Sequence, residues 1–164
     1  MSTKATVTLE MQNFVPWNGA TAATADTCTA KGYLDSNNEK KISIEGGGTT
    51  EFTININKHG SDTTLAFIIT PGEVSTTYAS FIPIGIALRQ TDGDGCDPVG
   101  TKEFAKVTIE DDGNDNRVLT LDVDANEDAT WDFYIVIQGM PSDDTDDTYP
   151  VGIIDPRIKG STQN

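Results

Sequence analysis

Positive charge is scarce: 11 Lys and Arg stand against 26 Asp and Glu in 164 residues, a formal charge of −15. A nucleic-acid backbone binder needs clustered Lys and Arg to neutralise phosphates, so that class is excluded, and anionic membrane surfaces are disfavoured for the same reason. No apolar run approaches the ~20 residues of a membrane-spanning helix. Cysteine is limited to Cys28 and Cys96, and His59 is the single histidine. That leaves too few soft ligands for a zinc site and at most one disulfide. The opening MSTKATVTLEMQ alternates polar and apolar residues and lacks the apolar block of an export signal, so the expectation is a cytoplasmic chain with reduced thiols. At this length a single domain over residues 1–164 can bury roughly 70% of its unfolded-chain surface without disulfides or metals. No cofactor is expected.

The dominant period is two. Lys4–Glu10 places Ala5, Val7 and Leu9 on one face, and Glu51–Asn57 does the same with Phe52, Ile54 and Ile56. Ile42–Glu45, Thr63–Thr70, Tyr78–Gln90, Glu103–Glu110, Arg117–Asp124, Thr130–Gln138 and Val151–Ile158 read likewise, rich in Val, Ile, Thr, Phe and Tyr. Turn-forming clusters separate them: Gly46–Gly48, Lys58–Asp62, Asp92–Gly100 and Asp111–Asp115. Residues 16–40 read as a long excursion, and Gly19–Lys31, the best helical candidate, has no apolar stripe. Pro83 cannot donate to a ladder, so its strand has an edge or a bend there. The pattern predicts an all-β fold, an antiparallel β-sandwich of about 8–9 strands, with a closed barrel as the alternative.

The acidic excess is lopsided. Residues 83–164 carry 18 of the 26 acidic side chains, grouped as Asp92, Asp94 and Asp97, as Glu110, Asp111, Asp112 and Asp115, and as Asp143, Asp144, Asp146 and Asp147. These are either solvated turns or, somewhere among them, a weak calcium site. An EF-hand reading from Asp112 fails, because its sixth position is Arg117 and its twelfth Val123. His59, in a turn, has no triad around it. Gly46–Gly48 runs into a strand and not a helix, so it does not cradle phosphate. Trp131, Phe133, Ile135 and Ile137 share one strand face and read as core, and with Trp17 and Tyr134 they would otherwise line a pocket.

The segment Val151–Lys159 is unusual: an apolar strand interrupted by Asp155–Pro156. By alternation Asp155 shares the face of Val151 and Ile153; were that face the core, its pKa would rise. An aspartyl–prolyl bond is also chemically weak. The Asp155 carboxylate can attack its own main-chain carbonyl and close a cyclic anhydride. The bond to the Pro156 nitrogen breaks, and that nitrogen departs with a proton from a neighbouring acid. Water or a lysine amine then opens the anhydride. The bland alternative is that Asp-Pro is a common turn dipeptide, as at Asp97–Pro98.

FIPIGIALRQ, the DGDGCDPVG turn, LTLDVDANEDATWDFYIVIQ and the closing GIIDPRIKG together resemble the DP-EP family of small bacterial β-sandwich proteins, over roughly residues 80–160. The resemblance implies an immunoglobulin-like sandwich whose last strand carries an Asp-Pro peptide, with intramolecular, aspartic-peptidase-like self-cleavage at that bond. It makes Asp155 the reacting carboxylate and Pro156 the leaving residue, with release of Pro156–Asn164. Asp132, on the strand expected to pair with the last one, is the first choice for a second carboxylate. Any lysine adduct would draw on Lys58, Lys102 or Lys106, since none lies between Lys106 and Lys159. The competing function is a non-catalytic binding or assembly module, with a homo-oligomer formed through edge strands and no nucleic-acid, membrane or known small-molecule partner.

Overall fold

The computed structural model describes residues 3–18, 27–35, 42–57, 63–90, 104–111, 113, 117–123, 129–143, 145, 148–155 and 157–161. Eleven strands run in chain order: β1 (Thr3–Met11), β2 (Ala30–Asp35), β3 (Ile42–Glu45), β4 (Thr53–Asn57), β5 (Thr63–Thr70), β6 (Tyr78–Gln90), β7 (Phe104–Asp111), β8 (Arg117–Val123), β9 (Ala129–Pro141), β10 (Val151–Ile154) and β11 (Arg157–Ser161). A single 3-10 turn, Gly72–Val74, joins β5 to β6. The fold is all-β, and among the described residues no helix is long and apolar enough to cross a membrane.

The strands form two sheets. The first has the order β2-β1-β5-β8-β7. In the second, β9 is the hub: β6 pairs along one edge from Tyr78 to Gln90, while β10 and then β11 pair along the other, and β11 leads on to β4 and β3. Alternation does what the sequence implies. Ala5, Val7, Leu9, Leu65, Phe67, Leu119 and Leu121 from the first sheet and Ile54, Ile56, Phe133, Ile135 and Ile137 from the second are buried in one cluster. At ~1.5–3 kcal/mol for each large apolar side chain taken out of water, that cluster is the main source of stability.

Two expectations are corrected. The pairing is not purely antiparallel: β1 runs parallel to β5, and β4 runs parallel to β11. Among the described residues the strands number eleven and not 8–9, for two local reasons. β2 lies inside the presumed excursion, where an inward Gly32 without a side chain and an outward Tyr33 hide its alternation. Gly32 is required there, because the Phe52 ring would lie 2.6 Å from any Cβ. The terminal run expected as one strand is two, split at Asp155–Pro156. Of the helical candidate Gly19–Lys31, residues 19–26 lie outside the described residues; in the described part Cys28 bridges Ile154 and Ala30–Lys31 open β2. Pro83 behaves as its chemistry demands: β6 is an edge strand whose register shifts between Pro83 and Gly85.

Candidate functional site

The Asp-Pro element is held by an unusual exchange of neighbours. β10 pairs antiparallel with β9, from Val151 opposite Gln138 to Ile154 opposite Ile135. Its other edge is taken by an irregular strap: Trp17 N–H donates to Val151 O at 2.6 Å, and Cys28 N–H donates to Ile153 O at 2.7 Å. Three residues after Ile154, Arg157 stands opposite Asp132, three residues before Ile135, so the register against β9 is the same on both sides of the break. On the far edge the strap has been replaced by β4, with Arg157 opposite Thr53. Asp155 therefore follows the point where one outer neighbour of β9's partner strand ends and precedes the point where the next begins.

Close packing fixes the strap. Any Cβ at residue 152 would sit 2.6 Å from the Phe14 ring and 2.7 Å from Cys28 Sγ, so Gly152 alone admits both. Phe14 stacks in turn on Tyr78 and Phe81, at centroid separations of 4.8 and 5.4 Å. The Cys28 thiol accepts a hydrogen bond from Val15 N–H at 3.3 Å and donates to Val15 O at 3.5 Å. Burial pushes its pKa up, with these contacts opposing in part.

Asp155 itself is exposed, so the conditional expectation of a core-facing carboxylate is not met: alternation stops where β10 stops. It lines a polar cavity of about 580 Å³ together with Glu45, Gly46, Thr50, Glu51, Phe52 and Thr53. The carboxylates sharing that cavity with Asp155 are thus Glu45 and Glu51. Sequence reading could not find them, because they precede Asp155 by about a hundred residues and sit in an ordinary hairpin. Asp132 is on the strand expected to meet the last one, and its backbone partner is Arg157. Pro156 lies outside the described residues.

The remaining candidates divide the same way. His59, Cys96 and the cluster Asp92, Asp94 and Asp97 lie outside the described residues, as do Asp112, Asp115, Asp144, Asp146 and Asp147. Two acidic-cluster members that are described act within their own turns. Asp111 accepts a hydrogen bond from Gly113 N–H at 2.8 Å, and Asp143 accepts from Thr145 N–H at 2.9 Å and its hydroxyl at 2.8 Å. Those two bonds hold the Asp143 carboxyl below the usual carboxylate range. Among the described residues no three acidic, Cys or His side chains converge on a metal position. Phe133, Ile135 and Ile137 are core as expected, while Trp17 is 41% exposed beside β10.

No family model and no curated protein matches the chain. Among solved structures, it is similar to the inclusion body protein PixA from Burkholderia cenocepacia. The two agree with a TM-score of 0.59 over 98% of this chain and 97% of that one, at 8% sequence identity. The likeness is one of fold.

Proposed function

We propose that the chain is a non-catalytic assembly module, an immunoglobulin-like β-sandwich that associates with copies of itself. The observation that carries this reading is the whole-length likeness in fold to a protein described as an inclusion body protein. A body of many copies requires a surface through which the fold meets itself, and sheet edges are the usual provision. The sandwich is supported by one core shared between two sheets. Sedimentation velocity across a concentration series tests the module. Reversible association that grows with concentration is expected, and a strict monomer at the highest attainable concentration would overturn it.

A second reading, self-cleavage in the manner of the DP-EP family, is favoured by one observation. The strand breaks at Asp155, which is open to water in a cavity shared with Glu45 and Glu51. In this reading Asp155 attacks its own carbonyl, and either glutamic acid, when protonated, supplies the proton that leaves with the Pro156 nitrogen. Asp132 remains the candidate from β9. Intact mass under denaturing conditions decides it, taken fresh and after storage at mildly acidic pH. Loss of Pro156–Asn164, abolished by Asp155→Asn, is the positive result; a single full-length mass throughout excludes the reaction.

A further inference from the structure

The sheets have unequal edges. On β6, Pro83 lacks an N–H, and the register shifts twice, between Tyr78 and Ser80 and between Pro83 and Gly85. β3 is only four residues long. β2 is engaged by the β3–β4 turn, since Gly32 N–H donates to Thr49 O and Gly32 O accepts from Gly48 N–H. The outer edge of β10 is taken by the N–H groups of Trp17 and Cys28. Each of these is a recognised way of blunting an edge. β7 ends the first sheet, and among the described residues no strand pairs with its outer edge.

β7 also shows an uncovered core margin. Ile109 stands opposite Leu119 and Val107 opposite Leu121, two leucines with no exposed surface, so both β7 residues share the core-facing side. Val107 packs against the core, yet Ile109 remains 37% exposed. On the other face Lys106, Thr108 and Glu110 alternate with them. Thr108 is hydrogen-bonded through its hydroxyl to Thr120, and Lys106 falls in a row with Asp122, Thr64 and Lys4. Within that row Thr64 Oγ1 donates to Asp122 Oδ1 at 2.8 Å.

The order Lys106-Val107-Thr108-Ile109-Glu110 is complementary to itself when reversed. We propose that two copies pair antiparallel through the outer edges of their β7 strands, about a two-fold axis at Thr108. Lys106 of each copy then stands opposite Glu110 of the other. Val107 of one meets Ile109 of the other, which covers the exposed isoleucine and continues the core-facing side across both copies. A register centred one residue earlier sets Lys106 against Thr108. One centred a residue later sets Val107 against Asp111, an apolar residue against an acid. Only the Thr108-centred register matches both faces. The partner is a second copy of this chain, and the inference rests on the assembly reading by naming the edge it uses.

So short a contact falls below the ~1,200–2,000 Å² of stable complexes, so the pairing is weak and depends on crowding many copies together. Net charge sets its salt dependence. Two copies at −15 repel over distance, and raising ionic strength toward ~0.1 M shortens that repulsion to ~10 Å while adjacent Lys–Glu pairs are screened less. Association therefore strengthens from very low to moderate salt.

Charge exchange in the full-length protein tests the register by sedimentation velocity. Lys106→Glu sets two acids against each other in both symmetric positions, and Glu110→Lys sets two lysines; each should weaken self-association roughly tenfold. Mixing the two variants should restore it as a heterodimer, and the double variant should restore the homodimer. Thr108→Cys, with Cys96→Ser, should yield a disulfide-linked dimer on mild oxidation, and Glu110→Cys should not, because residue 110 faces residue 106. Restoration survives as a readout even if a single variant is less stable. Self-association unaltered by either charge reversal, with no cross-link through Thr108→Cys, overturns the β7 pairing and leaves the assembly reading standing. A strictly monomeric wild type overturns both.

Discussion

Phe67 on β5 and Phe133 on β9 stack across the interior with ring centroids 5.3 Å apart and planes inclined by 49°, and neither retains exposed surface. Their strands belong to different sheets, so this pair fastens the two layers directly. Such tilted pairs are worth ~0.5–1.5 kcal/mol beyond simple burial.

Phe133→Ala should therefore destabilise by about 3–5 kcal/mol, a large share of a typical domain's total. Denaturant unfolding measures it. A double-mutant cycle with Phe67→Ala should return a coupling near the upper end of the aromatic-pair range, whereas additivity would place the two rings in separate packing units.

Gly152→Ala should disrupt the strap, because its methyl group meets the Phe14 ring and Cys28 Sγ well inside contact distance. Overpacking of this kind costs ~1–3 kcal/mol. The expected result is a lower melting temperature together with faster proteolysis within residues 13–17. Gly113→Ala makes a useful contrast. It meets no atom within 4 Å but sits at φ +83, so its cost is backbone strain in an exposed turn, with no effect on the strap.

Cys28 should be nearly inert in the folded protein. Its pKa is raised chiefly by burial, so little thiolate exists at neutral pH, and the sulfur is also shielded. In a Cys96→Ser background, labelling with a thiol-specific disulfide reagent should track unfolding and rise steeply with denaturant. Rapid labelling of the native state would contradict this placement.

Asp143 titrates below the ordinary carboxylate range because Thr145 donates two hydrogen bonds to its ionised form. Its folded-state pKa is thus depressed relative to the unfolded chain. Its contribution is complete above the unfolded value and is lost as pH falls through the folded one. An NMR titration should show the Asp143 midpoint moving up toward the ordinary value in Thr145→Ala, a change confined to this turn because the carboxyl is fully exposed.

Period-two alternation made most strands legible, since β1, β4, β8 and the described side chains of β9 bury every second residue and β5 departs from this only at Ala66. It could not show partners. Nothing in TVTLE or TLAFI says that β1 and β5 run parallel, because a parallel pair joins segments whose faces match but whose connection lies elsewhere. β2 escaped detection because its identity depends on Phe52, which fills the space over Gly32 from another part of the chain. The candidate site divides similarly. Asp155–Pro156 stands out as a dipeptide, whereas Glu45 and Glu51 join it only through the β3–β4–β11 arrangement.

β11 sits in the middle of its sheet, between β9 and a parallel β4 about a hundred residues earlier in the chain. A strand with neighbours on both flanks completes its pairing only when the second of them has docked. Closing so long a loop carries a large entropic barrier before any hydrogen bond rewards it. Refolding of this chain is therefore expected to be slow for its size, with the β9 side of the second sheet forming by local hairpins and the β3–β4 side joining it late. Until that final insertion, the core-facing side of β4 stays open to water, and the time the chain spends in that state is set by topology more than by stability.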